Sequence, residues 1–262
     1  MPPVHDTALC IRHWDWSETS QTVSLFTRDH GLVRAIAKGA KRPGSPFSGG
    51  LELLTIGDAG LVIKPSTELA LLTEWDLTEI FPSLRTDLAR QHAGLYAADL
   101  LQRMVTDRDP HPELFDAAAA LLRALDAQGE PASLLRFQLA ALTSTGYRPV
   151  LDRDVRSGGE LDPGAPLAFS PSLGGVTSES TRRDSSSNTE ELWRVRPATI
   201  IALRALDSAS PKEEHATTPA DIDRANRLLA AYIRHLIGID TPTLGLVFPD
   251  LAGKPAVSRN PA

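Results

Sequence analysis

The sequence predicts an α+β protein in which a small N-terminal β-barrel is followed by helices. Residues 1–80 contain five short runs that are rich in β-branched residues or alternate apolar with polar, separated by turn residues. From residue 83 the apolar side chains instead recur every three or four positions, which is the period of an amphipathic helix. The 262 residues, 42% hydrophobic and 23% charged, are ordinary for a globular protein with one large domain or two to three small ones.

Residues 1–80 are expected to form the barrel domain. The five strand candidates are Ala8–Ile11, Thr22–Thr27, Leu32–Lys38, Ala59–Lys64 and Leu69–Glu79. Asp29-His30-Gly31 is typical of a hairpin turn, because glycine can adopt a positive φ. The Gly-, Pro- and Ser-rich stretch 39–50 indicates a loop. Five short strands favour a closed barrel, because closure removes exposed strand edges.

Residues 81–146 are expected to form the first part of a helical domain. Their apolar side chains form three stripes, interrupted at Asp109–Pro112 and at Gly129. The first stripe contains Leu84, Leu88, Leu95, Tyr96, Leu100 and Met104. Three such helices joined by short connections are typical of a bundle.

The second half of the chain is less regular. Residues 147–190 are rich in Gly, Pro, Ser and Asp and are expected to form an insertion, with Thr177–Thr189 disordered. Helical spacing returns at Glu191–Leu206 and Ala220–Ile237, so residues 191–249 are expected to complete the helical domain. Residues 250–262 are expected to be a flexible tail.

The clearest local indication of function is positive charge between residues 28 and 42. The cations are Arg28, Arg34, Lys38, Lys41 and Arg42. Asp29 is the only acid among them, although the chain as a whole has a formal net charge of −6. A cationic strand-and-loop surface can bind a phosphate backbone through counterion release. The alternative is a merely solvated surface, since such runs are common.

Aromatic side chains near these cations could stack on unpaired bases. Trp14 and Trp16 would share one face of a strand, but we favour packing in the core or at the barrel end, because most aromatic residues are buried. Phe47 lies in the Gly/Pro-rich loop and is the better stacking candidate.

No catalytic motif is found. The segment Gly39–Gly44 lacks the spacing of a phosphate-binding loop, and neither a His-Glu-x-x-His nor a Gly-x-Ser-x-Gly pattern occurs. The single cysteine, Cys10, cannot form an internal disulfide or a cysteine zinc site. We therefore expect a non-enzymatic protein without a cofactor. The chain has no signal-peptide pattern and no apolar run long enough to span a bilayer, so we expect it in the cytoplasm.

Several segments, in order along most of the chain, resemble the bacterial recombination mediator family RecO. They are Ala8–Arg12, Val23–Gly31, Arg34–Pro43, Phe81–Arg85, His111–Phe115, Gly146–Asp152 and Phe169–Gly175. The resemblance implies an N-terminal OB-fold and a helical domain with an inserted zinc module. It implies a nucleoid-associated protein that binds single- and double-stranded DNA and anneals strands. With the partner RecR it would load RecA onto strands coated by single-strand-binding protein, whose C-terminal tail it would contact.

The sequence departs from that family at the zinc module. The family uses two Cys-x-x-Cys pairs, and the corresponding positions here are Asp154, Ser157, Ser178 and Thr181. Serine and threonine hydroxyls are poor zinc ligands, so we predict no metal at this degenerate module. The segment must then be held by packing or be partly mobile.

The leading hypothesis is a DNA-binding mediator. We predict that the DNA backbone is bound by Arg34, Lys38, Lys41 and Arg42, with Arg28 and Arg12 as outer members. The alternative is an adaptor that binds single-strand-binding protein through its helical domain and has little intrinsic DNA binding. A hydrolase or transferase with an accessory OB-fold is the third hypothesis, disfavoured by the lack of a catalytic set.

Overall fold

The computed structural model describes residues 3–42, 44–45, 47–48, 51–64, 66–127, 131–162, 165–178, 191–207 and 217–253. The prediction for Thr181, most of the stretch predicted to be disordered and the tail after Gly253 lie outside these residues. The chain divides into two compact units. The first contains Met1–Glu130 and Thr241–Val247, and the second contains Pro131–Asp240 and Phe248–Ala262.

The first unit begins with a six-stranded sheet. Its strands are β1 (Val4–Asp15), β2 (Gln21–Thr27), β3 (Gly31–Ala37), β4 (Phe47–Ser48), β5 (Ile56–Val62) and β6 (Ala70–Glu79). The order is β3-β2-β1-β5-β6-β4, and a parallel pairing of β3 with β6 closes the sheet. The five longer strands correspond to the five strand candidates, so the predicted five-stranded OB-fold barrel followed by helices is confirmed.

A β-bulge in β1 changes which of its side chains point into the barrel and which point outwards. Ala8 and Cys10 point into the core, where they meet Val23 and Leu25 of β2. The pairing with β2 shifts between Cys10 and Arg12. Because side chains alternate along a strand, the extra residue turns Arg12 and Trp14 to the outer surface of the barrel.

The described residues contain seven helices. They are α1 (Ser83–Thr86), α2 (Leu88–Met104), α3 (Pro112–Ala127), α4 (Pro131–Ser144), α5 (Pro197–Asp207), α6 (Pro219–Ile237) and α7 (Leu244–Val247). None of the described helices is long and apolar enough to cross a membrane.

In the first unit, helices cover part of the outer surface of the barrel. Phe26 of β2 contacts Phe115 of α3, with 6.1 Å between ring centroids. Beside this contact, Gly31 has a φ of +68°, as predicted for the hairpin turn. A Cβ on Gly31 would lie 2.1 Å from the carbonyl oxygen of Asp109, so the close approach of the two backbones requires glycine.

The second unit combines α4, α5 and α6 with a three-stranded sheet. Its strands are β7 (Leu167–Ser170), β8 (Gly175–Ser178) and β9 (Trp193–Val195), in the order β8-β7-β9. The helix predicted from Glu191 is wrong over its first residues, because Trp193–Val195 pair with β7 and α5 begins only at Pro197. Thr177 and Ser178, predicted to be disordered, belong to β8.

Candidate nucleic-acid interface

The outer surface of β1, β2 and β3 near one end of the barrel contains both cations and aromatic side chains. Two cross-strand rows, read from β1 to β3, are Arg12–Ser24–Arg34 and Trp14–Thr22–Ile36. We call this surface, with Trp16 and Lys38 that follow the two outer strands, the β1–β3 outer face. Neighbouring strands lie about 4.8 Å apart, so the β1 and β3 side chains are separated by about 10 Å.

The β1–β2 turn and the loop after β3 meet at the end of this face. The backbone N–H of Lys41 donates to the carbonyl oxygen of Thr19 at 3.2 Å, and that of Gly39 donates to Ser20 Oγ at 3.3 Å. The Lys41 ammonium lies 2.6 Å from Asp15 Oδ1. Its hydrogen bond lowers the pKa of that carboxyl group below the usual value. These contacts bring segment 38–42 beside the turn that contains Trp16.

Four of the six predicted DNA-binding cations already have a carboxylate partner. Arg28 makes a two-point contact with Asp116, at 2.8 and 3.1 Å. This contact lowers the pKa of the Asp116 carboxyl group. The Arg34 guanidinium lies 2.5 Å from Asp107 Oδ2. The sequence-based statement that Asp29 is the only counter-charge is therefore wrong, because acids distant in sequence fold against the cations.

The pair of Arg12 is weak, and the two remaining cations of the predicted set are more available. Arg12 is 4.0 Å from Asp99 Oδ1, at the limit of an ion pair. Lys38 and Arg42 are exposed and form no ion pair with any residue that the structure describes. The Arg34 and Lys41 pairs are themselves partly open to solvent. Because exposed ion pairs contribute only about 0–1 kcal/mol, a phosphate can compete for these cations.

The structure reverses the assignment of the aromatic residues. Trp14 and Trp16 are 45% and 61% exposed, so the favoured interpretation as packed side chains is wrong. Phe47 is 6% exposed and lies in the barrel core, where β4 pairs with β6, so its predicted role in stacking is also wrong. One available signal was the strongly polar setting of the tryptophans, between Arg12 and Glu18, which is unlike a core strand.

The segment predicted to be a degenerate zinc module is organised around a buried carboxylate. Asp154 is 1% exposed. Its Oδ1 accepts the backbone N–H groups of Arg156 at 2.9 Å and Ser157 at 3.1 Å, and its Oδ2 accepts that of Ser178 at 2.8 Å. The Thr177 hydroxyl lies 3.0 Å from Oδ2 and 3.1 Å from Oδ1.

The described positions, Asp154, Ser157 and Ser178, do not fit a structural zinc ion. The Asp154 oxygens are already engaged by N–H and O–H donors, and Ser178 Oγ accepts the backbone N–H of Asp162 at 3.0 Å. Within the described ranges, no three His, Cys, Asp or Glu side chains converge as metal ligands would. Zinc also prefers thiolate or imidazole to hydroxyl ligands. A hydrogen-bonded carboxylate therefore connects the strands and the loop here, which sequence reasoning did not anticipate.

Comparison with known proteins matches nearly the whole chain to one family. Residues 1–81 match the family described as "Recombination protein O N terminal", and residues 85–244 match "Recombination protein O C terminal". A protein of Rhodopirellula baltica named DNA repair protein RecO is 37% identical over 84% of this chain and 80% of its own length. Proteins of the same name from Anaeromyxobacter dehalogenans and Myxococcus xanthus are 33% and 32% identical, over 91% and 89% of this chain and 93% and 92% of their own lengths.

Proposed function

Because this chain belongs to the recombination protein O family, whose relatives are DNA repair proteins, we propose that it acts as a DNA-binding mediator in recombinational repair. DNA binds on the β1–β3 outer face and the adjoining loop. The observation that carries this assignment is the exposed charge of Lys38 and Arg42, which pair with no carboxylate among the described residues and lie beside a surface that also contains Arg12 and Arg34.

Binding is directed mainly at phosphate. Lys38 and Arg42 contact the backbone without first breaking an ion pair within the described part of the chain. Arg34 and Lys41 exchange an exposed carboxylate partner for a phosphate, while Arg28 and Arg12 lie at the margin. Each phosphate that a cation neutralises releases condensed counterions, so affinity falls steeply with salt and depends little on base sequence.

A mediator role requires only that the protein bind DNA strands without changing them chemically. Neutralising the phosphates on two complementary strands lowers their mutual repulsion, which favours annealing. With RecR, and in contact with the tail of single-strand-binding protein, the chain helps RecA to load onto covered single strands. No covalent step is part of this proposal.

A salt titration tests the phosphate contacts. Lys38→Glu combined with Arg42→Glu should weaken DNA binding and reduce the slope of log affinity against log salt by about 1.4 for single strands and about 1.8 for duplex. The matched control is Arg153→Glu with Arg196→Glu, two exposed arginines of the second unit that change the net charge equally. Unchanged affinity and slope in the first variant, measured by fluorescence anisotropy, would count decisively against these contacts.

The adaptor hypothesis remains the second candidate, because four of the six cations are already paired with carboxylates. Such internal neutralisation lowers the affinity for DNA. A titration with a labelled peptide of the tail of single-strand-binding protein separates the two hypotheses. Tight peptide binding without binding of a naked oligonucleotide would favour the adaptor.

A further inference from the structure

Trp14 and Trp16 lie exposed on the β1–β3 outer face, on the same surface as Arg34 and Lys38. We infer that these two tryptophans stack on unpaired bases and give the β1–β3 outer face a preference for single-stranded over double-stranded DNA. The inference rests on the proposed function and specifies the strand that the site prefers. It begins from the exposure of two large indole rings, 45% and 61%, in a run of polar residues.

The spacing along β1 suits this role. Trp14 pairs with Thr22, and beyond it the backbone N–H of Trp16 donates to the carbonyl oxygen of Ser20 at 3.0 Å, so the turn continues the strand pairing. Two residues of an antiparallel strand rise about 6.8 Å. This is about twice the 3.4 Å spacing of stacked bases, so one base can be sandwiched between the rings.

The surroundings of the rings favour a nucleic acid over another protein surface. Between the β1 and β3 side chains lie Thr22 and Ser24, which are only 2% and 1% exposed, so the longer side chains of the two outer strands form the accessible surface. The opposite margin contains the cations Arg34 and Lys38, with the half-buried Ile36 between them. With about 10 Å between the outer strands, bases can lie on the β1 side while the phosphates of the same strand face β3.

Such an arrangement discriminates between single strands and duplex. In a duplex the faces of the bases are covered by their neighbours and only phosphates and groove edges are presented, so the indole rings gain little. In a single strand the base faces are free to stack. The cations therefore bind both forms, whereas the tryptophans add affinity for unpaired bases only.

The test compares Trp14→Leu, Trp16→Leu and the double variant with wild type in the full-length chain. Leucine keeps an apolar side chain but removes the ring. The probes are a labelled oligothymidine and a duplex of the same length, titrated by anisotropy at one salt concentration. The control is Tyr147→Leu, which removes an aromatic ring that is 51% exposed in the second unit.

Each tryptophan substitution should lower the affinity for oligothymidine by about 5-fold or more. The affinity for duplex, the salt slope and the melting temperature should stay at the wild-type values. Equal losses on both probes, no loss on either, or an altered oligomeric state in sedimentation would each overturn the inference. If the inference fails in this way but wild type binds DNA and Lys38→Glu weakens that binding, the proposed function still stands. If wild type binds neither probe, the proposed function itself is contradicted.

Discussion

Replacing Asp154 by asparagine keeps the size of the side chain but removes one of two buried acceptor oxygens. In wild type, the backbone N–H groups of Arg156 and Ser157 point at Oδ1, and that of Ser178 points at Oδ2. If the asparagine keeps its oxygen towards the N–H groups of Arg156 and Ser157, its NH₂ group must face the N–H of Ser178, so that two donors point at each other. The Thr177 hydroxyl can turn and accept from the new amide, but a backbone N–H cannot.

The cost follows from these contacts. One buried N–H loses its acceptor, which costs about 1–3 kcal/mol. The two remaining N–H groups bond to a neutral oxygen in place of an ionised one, and such bonds are roughly half as strong. We therefore expect Asp154→Asn to lower the free energy of unfolding of the second unit by about 2–4 kcal/mol.

Hydrogen exchange of the amides in residues 150–178, measured by mass spectrometry with urea unfolding alongside, reports this loss. The matched control is Asp152→Asn, a change of the same chemistry two residues away on a side chain that is 80% exposed. The control should cost no more than about 0.5 kcal/mol, as is usual for surface substitutions. Equal exchange rates in the two variants, or a wild-type segment that a zinc chelator opens, would refute the reasoning about the carboxylate.

Three further predictions concern the barrel. A positive φ alone should make a Gly→Ala change cost about 1–2 kcal/mol in the free energy of unfolding. Gly31→Ala should cost more than this, because the new Cβ would collide with the backbone of Asp109. Gly44→Ala, which also has a positive φ but has open space around the Cβ, should cost only about 1–2 kcal/mol, and thermal unfolding compares the two variants. Burial raises the pKa of the Cys10 thiol from 9.0 to about 12. Because the pKa of the thiol is higher in the folded than in the unfolded state, the contribution of the neutral thiol to the free energy of unfolding is complete below pH 9 and is lost as pH rises towards 12. Between these pH values the free energy of unfolding of wild type should therefore fall by about 1.4 kcal/mol per pH unit more than that of Cys10→Ala. Asp107→Asn frees the Arg34 guanidinium and should raise DNA affinity and its salt slope in anisotropy titrations, and a lower affinity would contradict the proposed competition between carboxylate and phosphate.

The barrel could be predicted from sequence because its determinants are local. Alternation of apolar and polar residues, together with a glycine at position 31, indicated β2, β3 and the turn between them. The strand β9 was missed because Trp193–Val195 is too short to show any period, and its pairing with β7 depends on residues far away in the chain.

The candidate site was only partly predictable, because its electrostatics depend on long-range contacts. The position of the cations could be read from the chain, but Asp107 and Asp116, which neutralise two of them, lie more than 70 residues away. The exposure of Trp14 also depends on the bulge after Cys10, since without the extra residue it would point towards the barrel interior. A bulge leaves no reliable mark in a single sequence.

A photo-cross-linking map measures most directly where DNA lies on the molecule. An oligonucleotide with 5-iodouracil at alternate positions is bound to the full-length chain and irradiated, and the adducts are located by mass spectrometry. We expect adducts on Trp14, Trp16 and the peptide that contains residues 38–42. Adducts confined to the second unit, with none on the β1–β3 outer face, would contradict the proposed binding surface.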